Sequence, residues 1–201
     1  MIVALLTMHF LAFLSLLSFY KEKLPPMDYN RRAMIECAEL SHDDYLYHCL
    51  SSAYLDLLSK KEKGEITVNE VGRKAGVSRS VFYRLFGSRD YQRILTLHHL
   101  RFLFEKDKAN LEAKPSLSLF FAFLYRHLPL FGLLFEKDEL SVLAFFAELA
   151  EKERELFFLP SLFNYLKKEA KEGYPLSEEE ALMEAYSLLA KASKRESDKK
   201  S

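Results

Sequence analysis

The sequence predicts an all-α protein, and three observations carry that expectation. Apolar residues recur at spacings of three and four along most of the chain, as in helices buried on one face. Strict apolar–polar alternation, the signature of half-buried strands, is scarce. Backbone breakers are few, with 6 Gly and 6 Pro against 17 Phe and 11 Tyr in 201 residues, 49% of them apolar. A chain of this length can bury a substantial core in one or two small domains.

Met1–Tyr20 opens the chain as an apolar stretch without a formal charge, just long enough to span a bilayer. Lys21 and Lys23 follow it instead of preceding it, which argues against a secretory signal peptide. As a membrane anchor it would leave the body of the chain in the cytoplasm by the positive-inside rule. His9 and scattered Ser and Thr count against a span. A third reading starts translation at Met27, or at Met34, and leaves residues 1–26 out of the natural protein. Leu24-Pro25-Pro26 precede Met27, a charged domain-like sequence follows it, and Lys21-Glu22 permit purine-rich coding upstream. The start at Met27, with a cytoplasmic protein, is the expectation taken forward; the anchor is the alternative. Asp28 to Leu40 reads as a short lead-in.

Ser41 is the expected cap of the first domain helix, with Asp43 and Asp44 in a first turn whose dipole favours carboxylates. Leu46, Leu50, Ala53, Leu57 and Leu58 form its buried face, and the helix is expected to run to about Glu62, ended by Gly64. Thr67 to Asp90, TVNEVGRKAGVSRSVFYRLFGSRD, then reads as two short helices around a tight turn. Thr67 and Glu70 form a capping box, Val71 and Ala75 share one face, and Gly76 suits a left-handed helix end. Ser78 caps a second helix that buries Phe82 and Phe86 and turns Arg79, Ser80, Tyr83 and Arg84 outward. Gly87-Ser88 stop it, and Ser88 caps a long helix to about Glu105 or Leu111 that carries Tyr91, Ile94, Leu95, Leu97, Leu100, Leu103 and Phe104.

Pro115 opens the second half. Ser116 to Phe135 is expected as two short helices or one kinked helix, broken near Pro129 and Gly132. Asp138 to Phe158 follows as a helix with Leu143, Phe146, Leu149 and Ala150 inward. Pro160 to Glu172 is the next helix, ended by Gly173-Tyr174-Pro175. Ser177 and Glu180 form a second capping box, leading into Glu179 to Ala192. Residues 194–201 lack apolar side chains and are expected to fray as a disordered tail.

Charge and motifs narrow the function. Net charge is zero, yet Lys60 to Arg101 holds ten basic residues against four acidic ones, about +6, leaving about −6 for the rest. A basic module on a neutral chain suits a DNA-binding head joined to a body that avoids DNA. Cys37 and Cys49 are the only cysteines; they form no CxxC pair, so a reducing compartment with two unpaired thiols is expected. No HExxH, GxSxG, Walker lysine loop or GxGxxG occurs. Glu178-Glu179-Glu180 fit a helix start better than a carboxylate site, and His48-Cys49 and His98-His99 lack further ligands at metal spacing. An enzyme, a cofactor and a metal site are therefore not expected.

TVNEVGRK followed by AGVSRSVFYRLFGSRD resembles the DNA-binding domain of the TetR/AcrR family of bacterial transcriptional regulators. The resemblance spans Asp43 to Arg101. Val71-Gly72 stand for the family's Ile-Ala, Ser80-Val81-Phe82 for Gly-Thr-Leu, Leu85 for a His, and Arg89-Asp90 for Lys-Glu. It implies a three-helix DNA-binding domain with a helix-turn-helix over 41–101, and a helical effector and dimerisation domain over 102–193. Arg79, Ser80 and Tyr83 would reach base edges or neighbouring phosphates, while Thr67, Ser78, Arg84 and Arg89 would hold the DNA backbone. The helix after Ser88 would connect head to body. The implied partners are double-stranded DNA with a palindromic operator, a second copy of the chain, and a small-molecule effector. An apolar or aromatic effector would lie among the Phe-rich residues of the second half, with Arg126 and His127 as orienting groups. The last two helices, with Leu162, Phe163 and Leu166 and with Leu182, Met183, Tyr186 and Leu189, would form the dimer bundle. The alternative is a membrane-tethered or protein-interaction sensory protein that keeps the helices but does not read an operator.

Overall fold

The computed structural model describes residues 41–87, 89–110, 116–153 and 156–198. The expectations for residues 1–26, the lead-in to Leu40, Cys37, Ser88 and Pro115 lie outside the described residues. Every regular element among the described residues is helical: α1 (His42–Leu58), α2 (Val68–Ala75), α3 (Arg79–Phe86), α4 (Tyr91–Asn110), α5 (Leu117–Arg126), α6 (Leu128–Lys137), α7 (Glu139–Lys152), α8 (Leu159–Lys171) and α9 (Glu178–Asp198), with a 3-10 turn at Lys63–Glu65. They fall in one compact unit bounded at His42–Ser201.

α1 packs along α4 and against α2, which carries α3. The apolar faces explain the arrangement: Leu50, Ala53, Tyr54 and Leu58 of α1 and Leu95, Leu97 and Leu100 of α4 are all buried, and the two helices pack on one another. α1 ends at Leu58, four residues short of the expected Glu62, because its apolar face ends there. The Leu57 carbonyl takes the N–H groups of both Lys60 and Lys61, closing the helix as a turn, and Gly64 lies inside the 3-10 turn that follows. α4 begins after Asp90, whose carboxylate accepts the Arg93 N–H at 3.2 Å and so caps the helix. The boundary between Arg101 and Phe102 falls inside α4, which also packs on α5 and α7.

The second half is built on aromatic rings. Phe104, Phe120, Phe123, Phe131, Phe145 and Phe146 are all at most 1% exposed and meet mostly edge to face, as Phe104–Phe123 at 5.3 Å and Phe120–Phe146 at 5.1 Å. The expected break falls at His127, with Pro129 in the first turn of α6 and Gly132 within it; α5 and α6 bend by 86°. No single helix among the described residues is long and apolar enough to cross a membrane; α5 and α6 together pass by length and composition, bent as they are.

α7 and α9 also differ from expectation. α7 stops at Lys152 instead of Phe158, because Glu153 turns extended, where Lys108 of α4 holds its carboxylate at 3.0 Å. Its inward face carries Val142 and Phe145 with Phe146 and Leu149, while Leu143 is 37% exposed and Ala150 half-buried. α9 is helical to Asp198, beyond Ala192, over residues expected to fray. The Ser177–Glu180 capping box forms as expected, with the Ser177 N–H donating to Glu180 at 2.9 Å and the Glu180 N–H to Ser177 at 3.3 Å.

α8 packs on α6 and α7, and α9 on α5. Of the stripes expected to form a dimer bundle, Leu162, Leu166 and Leu182 are buried within the chain. Phe163, Tyr186 and Leu189 are half-buried, and Met183 is 55% exposed.

Candidate nucleic-acid interface

α2 and α3 are separated by three residues, Gly76 to Ser78. Thr67 starts α2 by the expected reciprocal cap: its hydroxyl oxygen accepts the Glu70 N–H at 3.3 Å, and Glu70 Oε2 accepts the Thr67 N–H at 3.1 Å. The Thr67 hydroxyl also donates to the same carboxylate at 2.9 Å. Lys61 pairs with Glu70 as well, and with Thr67 it holds that carboxyl down at about 2. Thr67 is thus already engaged, and its hydroxyl must turn away from Glu70 to reach a phosphate.

Gly76 closes α2 in the left-handed region at φ 69°, where a side chain would be strained. Gly72 has a different reason. The Val77 N–H folds back to the Gly72 carbonyl at 2.8 Å, and a Cβ on residue 72 would lie 2.9 Å from the Val77 carbonyl oxygen. The tight return of the chain after α2 excludes even alanine without a backbone shift.

Ser78 caps α3, accepting the Val81 N–H at 3.4 Å and lying 3.0 Å from the Ser80 hydroxyl. α3 then divides cleanly. Phe82, Leu85 and Phe86 are buried, with Phe82 against Phe86 at 4.7 Å and Tyr91 at 5.1 Å. Leu85 serves the core. Arg79, Ser80, Tyr83 and Arg84 are exposed. The Arg79 guanidinium sits 5.4 Å from the Tyr83 ring centroid and donates to its hydroxyl at 3.5 Å, so the two side chains form one unit over a single turn. Arg84 reaches Asp43 of α1 only loosely, at 3.8 Å.

Arg89 is placed differently from the rest. Its Nε donates to the Phe86 carbonyl at 3.0 Å and its Nη2 to that of Leu85, so the guanidinium covers the C-terminal end of α3, where a cation is favoured. The other basic residues of Lys60–Arg101 sort by partner. Lys60 and Lys74 share Asp56, whose carboxyl they hold below the usual range. Lys63 pairs with Asp138 at 2.6 Å and Arg101 with Glu148 at 2.7 Å. Arg73 and Arg93 were not singled out in the sequence, yet both are exposed and have no acidic partner among the described residues. Their signal was only membership of the basic run.

The surface is fixed to the rest of the unit by polar contacts invisible in sequence spacing. Asp138, 3% exposed at the start of α7, accepts from Lys63 at 2.6 Å and from Thr96 of α4 at 2.8 Å. Lys137 donates to the Lys61 carbonyl at 3.1 Å. Tyr91 and Gln92 at the head of α4 donate to the Ile66 and Lys63 carbonyls, at 2.8 and 2.9 Å. The segment leading into α2 is therefore held from α4 and from the α6–α7 junction together. Arg126 and His127, the expected orienting groups for an effector, face Asp107 of α4: Arg126 pairs with it at 2.7 Å and His127 lies 3.3 Å away.

Histidines lie behind the α1–α4 contact. His99 lies 3.4 Å from the Ser51 hydroxyl and stacks on His48 at 6.3 Å between ring centroids. Burial first, then the neighbouring His48, His98 and His127, lower its pKa to about 3. In the unfolded chain the imidazole titrates near ~6.5. Below that value the unfolded chain binds a proton that the native state refuses, so stability is full above it and declines as pH falls towards 3. The decline due to His99 is at most about 1.4 kcal/mol per pH unit. Urea midpoints at about pH 7 and about pH 5 should fall less in His99→Gln than in the parent; equal falls would count against a neutral buried His99.

No group of three or more His, Cys, Asp or Glu among the described residues is placed to hold a metal ion, and Cys49 is a free thiol. No protein-family model, no curated protein and no solved structure matches the chain. The reading of this surface therefore rests on its own residues.

Proposed function

We propose that this chain is a sequence-specific DNA-binding regulator of transcription, with α2 and α3 as a helix-turn-helix and α3 as the helix that enters the major groove. One observation carries the reading: α3 buries Phe82, Leu85 and Phe86 and offers Arg79, Ser80 and Tyr83 to solvent, with no carboxylate engaging Arg79 among the described residues. Such a helix has one side to be held by and another to read with. Ser78 and the free amides at the start of α3 suit a phosphate oxygen, and Arg73, Arg84 and Arg93 supply cations around it. Arg89 is assigned to α3 itself, as its C-terminal cap.

The resemblance of Asp43 to Arg101 to TetR/AcrR regulators makes a repressor acting as a homodimer the specific form of this reading. A single eight-residue helix reads only a few base pairs. Two of them about 34 Å apart match one turn of duplex and read a palindrome. A small effector bound by the helices after α4 would act through different affinities for two arrangements of the heads.

The test uses DNA enriched by the full chain from a random pool. Arg79→Ala and Tyr83→Ala should each weaken binding by about 10- to 100-fold, the worth of a good base contact, with melting temperature unchanged. Parent-like binding by both variants would remove α3 from the recognition role.

A further inference from the structure

The last turn of α8, where the chain bends towards α9, holds a carboxylate in no ion pair among the described residues. Glu169 is 4% exposed, and its Oε2 is buried without a hydrogen-bond partner among the described residues. A buried carboxylate is costly unless it is paired, hydrogen-bonded or protonated. Its surroundings are tyrosines and further carboxylates. Tyr125, Tyr165 and Tyr174 all feel the Glu169 charge, which adds to burial in raising their hydroxyl pKa values, Tyr125 to about 12. Burial raises the Glu169 pKa most, Glu184 and Glu172 add to it, and the Lys168 charge opposes them in part.

The local backbone brings these groups together. The Tyr174 N–H reaches back to the Glu169 carbonyl at 2.8 Å, with Gly173 at φ 78° and Tyr174 at φ 55°. This folds the Tyr174 ring against Tyr125 at 6.2 Å. The Tyr125 hydroxyl is tied to the Leu176 carbonyl at 3.1 Å, and that of Tyr165 lies 3.5 Å from Glu184. The Tyr174 hydroxyl, like Glu169 Oε2, is buried without a partner among the described residues. The nearby cations are already engaged: Lys168 pairs with Glu172 at 3.7 Å and Arg126 with Asp107 at 2.7 Å.

We propose that the α8–α9 turn binds an organic cation, with Glu169 as its counter-ion and Tyr125, Tyr165 and Tyr174 around it. Tyrosine rings attract quaternary and other weakly hydrated cations, and a buried carboxylate supplies the charge such a ligand needs. A bare divalent ion fits less well, because no three ligating side chains are placed for one among the described residues. The three tyrosines are half-buried and Glu184 is exposed, so the rim of the cluster reaches solvent while Glu169 Oε2 and the Tyr174 hydroxyl lie beneath it. Binding of a cation favours ionised Glu169, so affinity rises with pH as its proton leaves.

The experiment needs no DNA and stands or falls apart from the DNA reading. The full chain is titrated calorimetrically with benzyltrimethylammonium and with its uncharged carbon isostere, neopentylbenzene. The cation should bind saturably and the isostere should not. Glu169→Gln should weaken the cation at least about tenfold, and Glu139→Gln, half-buried at the start of α7 and paired with Lys167, should leave it unchanged. Parent binding should weaken as pH is lowered from neutral into the ordinary carboxylate range, about 4–5, a readout that survives if Glu169→Gln fails to fold. No saturable cation binding, equal binding of the isostere, an unchanged Glu169→Gln, or a flat pH dependence would each overturn the proposal.

Discussion

Phe82→Ala is expected to destabilise the protein by about 3–5 kcal/mol, the range for truncating a fully buried aromatic ring. Phe82 is 1% exposed and its ring meets Phe86 at 4.7 Å, Tyr91 at 5.1 Å and Tyr83 at 6.3 Å. The consequence is sharpest for α3. A helix of eight residues is far too short to persist in water by itself. It exists because Phe82, Leu85 and Phe86 are buried beneath it. Removing the first of these should unravel α3 before the rest of the unit, and hydrogen exchange of the α3 amides should report this at denaturant concentrations where α4 remains protected. A loss below about 1 kcal/mol in urea titrations would mean that the site collapses around the gap, or that Phe82 is not the anchor described.

The second large effect is expected at Asp138. Its side chain is 1% exposed, that of Lys63 30%, and Thr96 donates to the other carboxylate oxygen at 2.8 Å. Removing one member of a buried pair strands the other. Because Lys63 can turn partly to water, the lower part of the usual range applies, about 3 kcal/mol for Asp138→Ala. Asp138→Asn keeps an acceptor for Thr96 and should cost less. The loss should also loosen the segment that leads into α2, since Lys63 lies in the turn before it. Faster exchange of the Ile66 to Val71 amides in Asp138→Asn, with α8 unaffected, is the expected pattern. Uniform loss across all helices would make Asp138 an ordinary core residue and not the joint between α2 and α7.

These two residues show what the sequence could and could not announce. Phe82 was legible because its partners follow the helical repeat: Phe86 is one turn on. Thr67 and Ser177 were legible for the same reason, each capping with a glutamate three residues away. Asp138 reads locally as a helix start, yet its side chain makes no capping bond and instead reaches residues 75 and 42 positions away. Nothing in local spacing encodes that. Arg89 reads as a basic group after a DNA-facing helix, and only its three-dimensional position shows it covering the Leu85 and Phe86 carbonyls. The inward face of α7 is illegible in the sequence for a different reason. Leu140, Val142, Leu143, Phe145 and Phe146 are apolar at so many phases that periodicity cannot choose between them. Packing chose Val142 and Phe145, leaving Leu140 71% exposed.

The all-helical class was readable throughout, because helical periodicity and scarce breakers act over the whole chain. Gly72 marks the finer limit. It appears in the sequence as a departure from a familiar pattern, and its cause, a carbonyl 2.9 Å from where a Cβ would stand, belongs to the turn alone.

The proposed reading of DNA by α3 is open to selection of duplexes from a random pool by the full chain, followed by titration of the winners across salt concentrations. The expected result is enrichment of an inverted repeat with half-sites about one helical turn apart, and a steep fall in affinity as salt rises. A pool that stays random after repeated rounds, or binding indifferent to salt, would contradict it.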